Sequence, residues 1–221
     1  MEKTINYSEL SKEEREVAEW HDKYAKEYSH SASDERYKFV EERIRTYHDV
    51  LNLGCASGTD LIHFADKCES ITGVDFSKEM ITEAKRKSIG MKNVSFVRAN
   101  ILKLPFKDET FDLTYSFSTL YYIKDLKKAF KEVNRVLKSG GMFIFDFGNK
   151  HSINNYWDAI KFKVPQHNTT LSKVRKLLKQ TGFKEELVAH YQLHPLTRKR
   201  NVIKPLNFMC FRRLMIVRKE R

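Results

Sequence analysis

Apolar and polar positions along this chain alternate between short apolar runs and longer amphipathic stretches. That alternation predicts a parallel sheet covered by helices on both faces. The segment 11–29 is rich in Glu, Lys, Ala and Tyr. Ser11 followed three positions later by Glu14 spells a capping box, so a helix is predicted to start there. A second helix is predicted over 34–47. Asp49-Val-Leu-Asn-Leu-Gly54 is an apolar run closed by glycine, the pattern of a buried strand. The segment 59–67 is amphipathic, 70–75 reads as a strand ending in an acid, and 77–87 reads as a helix capped by Ser77. Strands are predicted over 94–99 and 111–117, with Leu104-Pro-Phe as a loop between them and a helix over 124–137. Ser139-Gly140-Gly141 predicts a turn before the strongly apolar strand 142–147. The last third predicts a helix over 171–180 closed by Gly182, then strands over 183–192 and 208–217. A basic loop, 193–207, joins those two strands, and connections of that length are often functional.

A length of 221 residues suits one sizeable domain, and the 41% hydrophobic and 32% charged fractions supply both a core and a polar surface. The first residues lack the pattern of a signal peptide, and no apolar run approaches the roughly 20 residues that span a bilayer. Cys55, Cys68 and Cys210 are odd in number and show no CxxC spacing. A disulfide framework and a zinc cluster are therefore not expected, and a reducing, cytoplasmic setting without membrane contact is. Charge is uneven. Residues 161–221 hold 16 Lys and Arg against 3 acids, a balance of +13, while the rest of the chain stands at −1. Two readings remain open: long-range attraction of an anionic partner, or a solvated basic surface.

The most informative segment is Leu53-Gly54-Cys55-Ala56-Ser57-Gly58-Thr59, placed between a predicted strand and the next helix. Glycines there let the backbone approach a ligand closely, and open α/β sheets bind ligands at the carboxyl ends of their strands. A plain strand-to-helix turn has the same spelling. Asp75 ends the second strand about 20 residues later, where an acid can accept hydrogen bonds from ribose hydroxyls. Ser77 fits the capping role, which leaves Asp75 for a ligand.

These segments resemble, in order, the motifs of the class I S-adenosylmethionine-dependent methyltransferases of small-molecule type. Asp49 to Thr59 is similar to the glycine motif, and Gly-Val-Asp75-Phe-Ser-Lys-Glu-Met80 to the acidic motif that follows it. Phe96-Val-Arg-Ala-Asn100-Ile-Leu-Lys-Leu-Pro-Phe, Phe111-Asp-Leu-Thr-Tyr-Ser116 and Leu137-Lys-Ser-Gly-Gly-Met-Phe resemble the next three. The resemblance implies a doubly wound, mainly parallel seven-stranded Rossmann-like sheet with an antiparallel last strand. It implies a helical cap over 1–48 and a catalytic domain over 49–221. It also implies S-adenosyl-L-methionine as cofactor, S-adenosyl-L-homocysteine as product, and no metal. Gly54, Cys55, Ala56, Ser57 and Gly58 are then expected along the methionine part, Asp75 at the ribose, and Phe76 and Met80 near the adenosine. Asn100 and Ile101 are expected at the adenine, Ser116 beside the methionine or the sulfonium, and Tyr24 and Tyr28 on a helix closing over the cofactor or in the core.

Three departures stand out: Asn52 for the usual acid, Ala56 for a middle glycine, and Asn100 for the usual Asp. Asn100 keeps a carbonyl acceptor, and Ala56 is expected to adopt an ordinary backbone conformation. A general base is needed only where the acceptor must lose a proton; the candidates by position are Tyr121, Tyr122, His151 and His194, each also compatible with a structural role. The expected acceptor is a small molecule, at oxygen or nitrogen before carbon, with an acidic or phosphorylated group suggested by the basic tail. Its binding region would comprise the amino-terminal helices, residues 148–164 with Tyr156, Trp157 and Phe162, and the loop 193–207. An RNA acceptor held by Arg198 to Arg200, Lys204, Arg212 and Arg213 is the alternative, and a non-catalytic cofactor-binding subunit a third. Oligomeric state is not legible.

Overall fold

The computed structural model describes residues 10–26, 36–44, 47–152, 164–191 and 212–220. Two helices lead in, α1 (Lys12–Tyr24) and α2 (Arg36–Ile44), followed by β1 (Asp49–Leu53), α3 (Thr59–Phe64), β2 (Ser70–Asp75), α4 (Lys78–Lys87) and β3 (Val94–Arg98). Then come β4 (Phe111–Ser116), a short 3₁₀ turn (Leu120–Tyr122), α5 (Leu126–Val136), β5 (Leu137–Gly148), α6 (Leu171–Gln180), β6 (Phe183–Tyr191) and β7 (Arg212–Lys219). The seven strands form one sheet in the order β3-β2-β1-β4-β5-β7-β6. The first four pairings are parallel, and β7 runs antiparallel to both β5 and β6. The chain reverses direction in the sheet between β1 and β4, so the carboxyl ends of those two strands open a crevice.

Strand alternation assigns the two faces of the sheet. Phe143, Phe145 and Phe147 of β5 and Met215 and Val217 of β7 face α5 and α6 in one buried cluster. Met142, Ile144, Leu214 and Ile216, one residue out of step, join Val40 and Ile44 of α2, Leu61 and Phe64 of α3 and Ile81 and Ala84 of α4 on the other face. A slip of one residue in either strand would exchange the two sets, so the register is fixed by burial.

Local chemistry sets the helix starts. Ser11 Oγ accepts from the Glu14 N–H and Glu14 Oε2 accepts from the Ser11 N–H, a complete capping box on α1. Ser77, Asp125 and Thr170 cap α4, α5 and α6 through their side-chain oxygens. Gly182, at φ +75°, follows the end of α6 as predicted.

Ser139 to Gly141 do not form a separate turn before the strand. β5 starts earlier, at Leu137, which pairs with Phe111, and the next pair is Leu113 with Met142. Four residues of β5 thus face one of β4, and Gly140 at φ +75° lets that bulge form within the strand. The described part of the last strand begins at Arg212; 208–211 lie outside the described residues. So do Tyr28, Tyr156, Trp157, Phe162, His194, Arg198 to Arg200, Lys204 and Cys210. Among the described residues, no helix is long and apolar enough to cross a membrane.

Candidate functional site

A pocket opens at the carboxyl ends of β1, β2 and β4, with roughly 700 Å³ of space, open solvent included. Its floor is Gly54 and Ala56, and Asp75 with Phe76, Asn100 with Ile101 and the segment Phe117 to Thr119 form the walls. Glu14, Val17 and His21 of α1 make the roof, and Tyr122 and Ile123 close one side.

The floor is shaped by backbone. Gly54 sits at φ +74°, and both it and Cys55 donate N–H to the Val74 carbonyl, at 2.7 and 3.0 Å. Any Cβ on Gly54 would lie 2.8 Å from Thr119 Cβ, so only glycine lets the loop after β4 press against the end of β1. Ala56 departs from the sequence expectation. Its φ is +45°, a left-handed conformation that disfavours a Cβ, and its N–H is held by Asp75 Oδ2 at 3.0 Å. Gly58, at φ +79°, starts α3, where a Cβ would meet Phe96 and Ala84; its small size serves packing between helix and sheet.

Asp75 is buried, with 7% exposure. Its Oδ1 accepts from the Ser77 N–H at 2.9 Å and its Oδ2 from Ala56. Ser77 caps α4 as expected, its Oγ taking the Met80 N–H, while Asp75 bonds the backbone N–H of Ser77 itself. Each carboxylate oxygen still has a second lone pair for a ligand hydroxyl. Burial pushes the Asp75 carboxyl above the usual range, against the opposing pull of His21 and of the two N–H groups.

The other expected residues divide clearly. Phe76, Asn100 and Ile101 line the pocket. Cys55, Ser57, Met80 and Ser116 are not among its lining residues. Cys55 is buried, and burial together with Asp75 and Asp60 pushes its thiol well above the ordinary range. Ser57 accepts from Lys87 Nζ at 3.0 Å; Met80 packs on Ala25 and Ala56; Ser116 donates to the Leu53 carbonyl at 3.0 Å. Tyr24 packs against Trp20, with ring centroids 4.9 Å apart.

Of the proton-transfer candidates, Tyr122 lines the pocket and meets the His21 ring edge-on at 5.4 Å. Tyr121 is buried and its hydroxyl accepts from Arg212 at 3.0 Å. His151 is exposed on the turn after β5. Arg212 and Arg213, expected on a basic surface, are turned inward. Arg213 is 6% exposed and donates to Asn149 Oδ1, and Arg212 stacks on the Tyr121 ring at 4.6 Å.

Glu14 was named from sequence only as the capping-box partner of Ser11, and Val17 and His21 not at all, although their i, i+3, i+7 spacing marks one face of a helix. Phe117 to Thr119 were equally unmarked, although they directly follow a parallel strand, where ligands gather.

The donor set fits a nucleoside cofactor. Asp75 offers carboxylate lone pairs that could take ribose hydroxyls, an amide and a carboxylate at Asn100 and Glu14 offer a polar edge, and Ile101 and Phe76 supply apolar contact. Among the described residues no cluster of His, Cys, Asp and Glu is arranged to hold a metal ion.

Comparisons with known proteins bear on the same segment. A family model described as a methyltransferase domain matches residues 51–145. An uncharacterized protein of Methanocaldococcus jannaschii is 31% identical over 182 residues, covering 76% of this chain and 69% of that protein. A Staphylococcus aureus demethylmenaquinone methyltransferase is 36% identical over 104 residues, which is 46% of this chain but only 43% of the enzyme. A solved S-adenosylmethionine-dependent methyltransferase from Mesorhizobium loti superposes with a TM-score of 0.65 at 22% identity, over 78% of this chain and 91% of that one.

Proposed function

We propose that this chain, which belongs to the class I S-adenosylmethionine-dependent methyltransferases, methylates a small acidic or phosphorylated acceptor at oxygen or nitrogen. The observation that carries this reading is the roof. α1 lines the pocket with Glu14, Val17 and His21, which supports a compact acceptor reached beside this helix rather than an extended polymer. The excess of positive charge in residues 161–221, 16 Lys and Arg against 3 acids, supports an anionic acceptor.

When bound, S-adenosylmethionine supplies an electrophilic methyl group on a sulfonium. In-line displacement asks the protein chiefly for positioning and exclusion of water. Gly54, Ala56 and Thr119 shape the floor for the methionine part, Asp75 holds the ribose, and α1 shields the reacting centre. His21 Nδ1 donates to the Val17 carbonyl at 2.8 Å, because a carbonyl can only accept. Where the acceptor must lose a proton, the His21 ring, which lines the pocket edge-on to Tyr122, is proposed to take it up.

Asp75→Ala is expected to weaken S-adenosylhomocysteine binding by about 1–3 kcal/mol, read by calorimetric titration, through lost ribose hydrogen bonds. Unchanged affinity in a folded variant would remove Asp75 from the cofactor site.

Acceptor class is tested with methyl-labelled cofactor offered panels of small carboxylates and phosphates beside total RNA. Label is expected in the small-molecule fraction, with little dependence on salt. Label in RNA alone, falling about 10³-fold or more between roughly 50 and 200 mM salt, would overturn the small-molecule reading.

A further inference from the structure

We propose that Glu14, on the helix that roofs the pocket, accepts a hydrogen bond from the 6-amino group of the cofactor's adenine, with Asn100 as the neighbouring donor. The proposal rests on the reading of this pocket as the S-adenosylmethionine site.

Two hydrogen bonds fix which way the Asn100 amide points. Its Oδ1 accepts from the Leu102 N–H at 2.8 Å, and its Nδ2 donates to Glu14 Oε1 at 2.9 Å. The end of the amide turned toward Glu14 is therefore the donor end. An adenine edge presents a donor, the 6-amino group, beside an acceptor, N1. Set against the Asn100 NH₂ alone, the amino group would meet another donor.

The Glu14 carboxylate removes that conflict. Its Oε2 takes the Ser11 N–H at 2.8 Å and its Oε1 takes Asn100, and each oxygen keeps a further lone pair. Glu14, Asn100 and Ile101 line the same pocket, so the carboxylate, the amide and an apolar surface for the ring stand together. The pair offers one acceptor and one donor, the complement of a 6-aminopurine. A 6-oxopurine presents an oxygen where the amino group would be, and that oxygen would face the carboxylate.

The position of Glu14 is well determined. It is the reciprocal member of the capping box, at the first turn of α1, where the helix dipole favours negative charge. Burial alone would raise its pKa, but the bonds from Ser11 and Asn100 outweigh it and hold the carboxyl below its usual range. It is thus ionised at neutral pH. Base recognition through Glu14 also means that the adenine fastens the roof helix over the site.

The test is calorimetric titration with S-adenosylhomocysteine and with S-inosylhomocysteine, its 6-oxo counterpart. Wild-type protein, Glu14→Gln, and the exchange variant Glu14→Gln with Asn100→Asp are compared. Glutamine also completes a capping box, so the melting temperature of Glu14→Gln is expected to change little. Wild-type protein is expected to prefer the adenosyl ligand by at least tenfold. Glu14→Gln is expected to lose about tenfold of that preference, and the exchange variant, with its acid moved to position 100, to recover most of it. A preference unchanged in Glu14→Gln, while both ligands still bind, overturns the proposal and leaves the cofactor site standing. Failure of wild-type protein to bind S-adenosylhomocysteine overturns both.

Discussion

Asp146→Ala is expected to destabilise the protein by about 3–5 kcal/mol, because it removes the acid from a buried ionic cluster while leaving the bases in place. Asp146 is fully buried on β5. Its Oδ2 accepts from Arg36 at 2.7 Å and from Arg212 at 3.4 Å, and its Oδ1 accepts from the Ser118 N–H at 2.7 Å. Both guanidinium groups lie over aromatic rings, Arg36 over Phe117 at 5.0 Å and Arg212 over Tyr121 at 4.6 Å. One carboxylate therefore ties together α2, the loop after β4 and the start of β7. Ser118 is at φ +57°, a conformation uncommon for a side-chain-bearing residue, and the bond to Asp146 holds it there. Since Phe117, Ser118 and Thr119 line the pocket, cofactor affinity is expected to fall along with stability. Asp146→Asn keeps an acceptor for the Ser118 N–H but not the charge, so it should lose less affinity for S-adenosylhomocysteine than the alanine variant. Denaturant unfolding measures the first effect and calorimetry the second. A wild-type unfolding midpoint in Asp146→Ala would show that the cluster does not carry the loop.

That cluster also explains why the basic tail was hard to read. Composition places Arg212 and Arg213 in a run of positive charge, which suggests surface. Their fate depends on Asp146, Asn149 and Tyr121, which lie more than 60 residues away in sequence and have no local signature. The elements themselves were far more legible. Capping boxes, glycine stops and apolar runs act within a few residues, so α1, β1, β2, α4 and α6 appear close to where the pattern put them. Ser139 to Gly141 read as a turn because the glycines are local, while the pairing of Leu137 with Phe111 that draws them into β5 is not. In the pocket, the floor and the acidic strand end were marked by spacing alone. A helix over the site was expected from the resemblance, but through Tyr24 and Tyr28; the contact between Glu14 of α1 and Asn100 follows from tertiary packing, and the left-handed backbone of Ala56 contradicts its residue type.

Gly54→Ala is expected to cost about 2–5 kcal/mol of stability, from two separable causes. The left-handed backbone accounts for about 1–2 kcal/mol once a Cβ is present. Steric overlap supplies about 1–3 kcal/mol, because the new methyl would lie 2.8 Å from Thr119 Cβ and closer still to the rest of that side chain. The two causes respond differently to a second substitution. Thr119→Gly clears the space but leaves φ at Gly54 unchanged, so in a double-mutant cycle only the overlap should be recovered. A coupling energy of about 1–3 kcal/mol is therefore expected between positions 54 and 119, measured by denaturant unfolding. S-adenosylhomocysteine affinity should follow the same pattern, falling at least tenfold in Gly54→Ala and returning in part in the double variant. Zero coupling would mean that Gly54 is required for its backbone alone, and that the loop after β4 does not press on the floor of the pocket. Strong coupling would identify the contact between Gly54 and Thr119 as the point where the ends of β1 and β4 set the depth of the site.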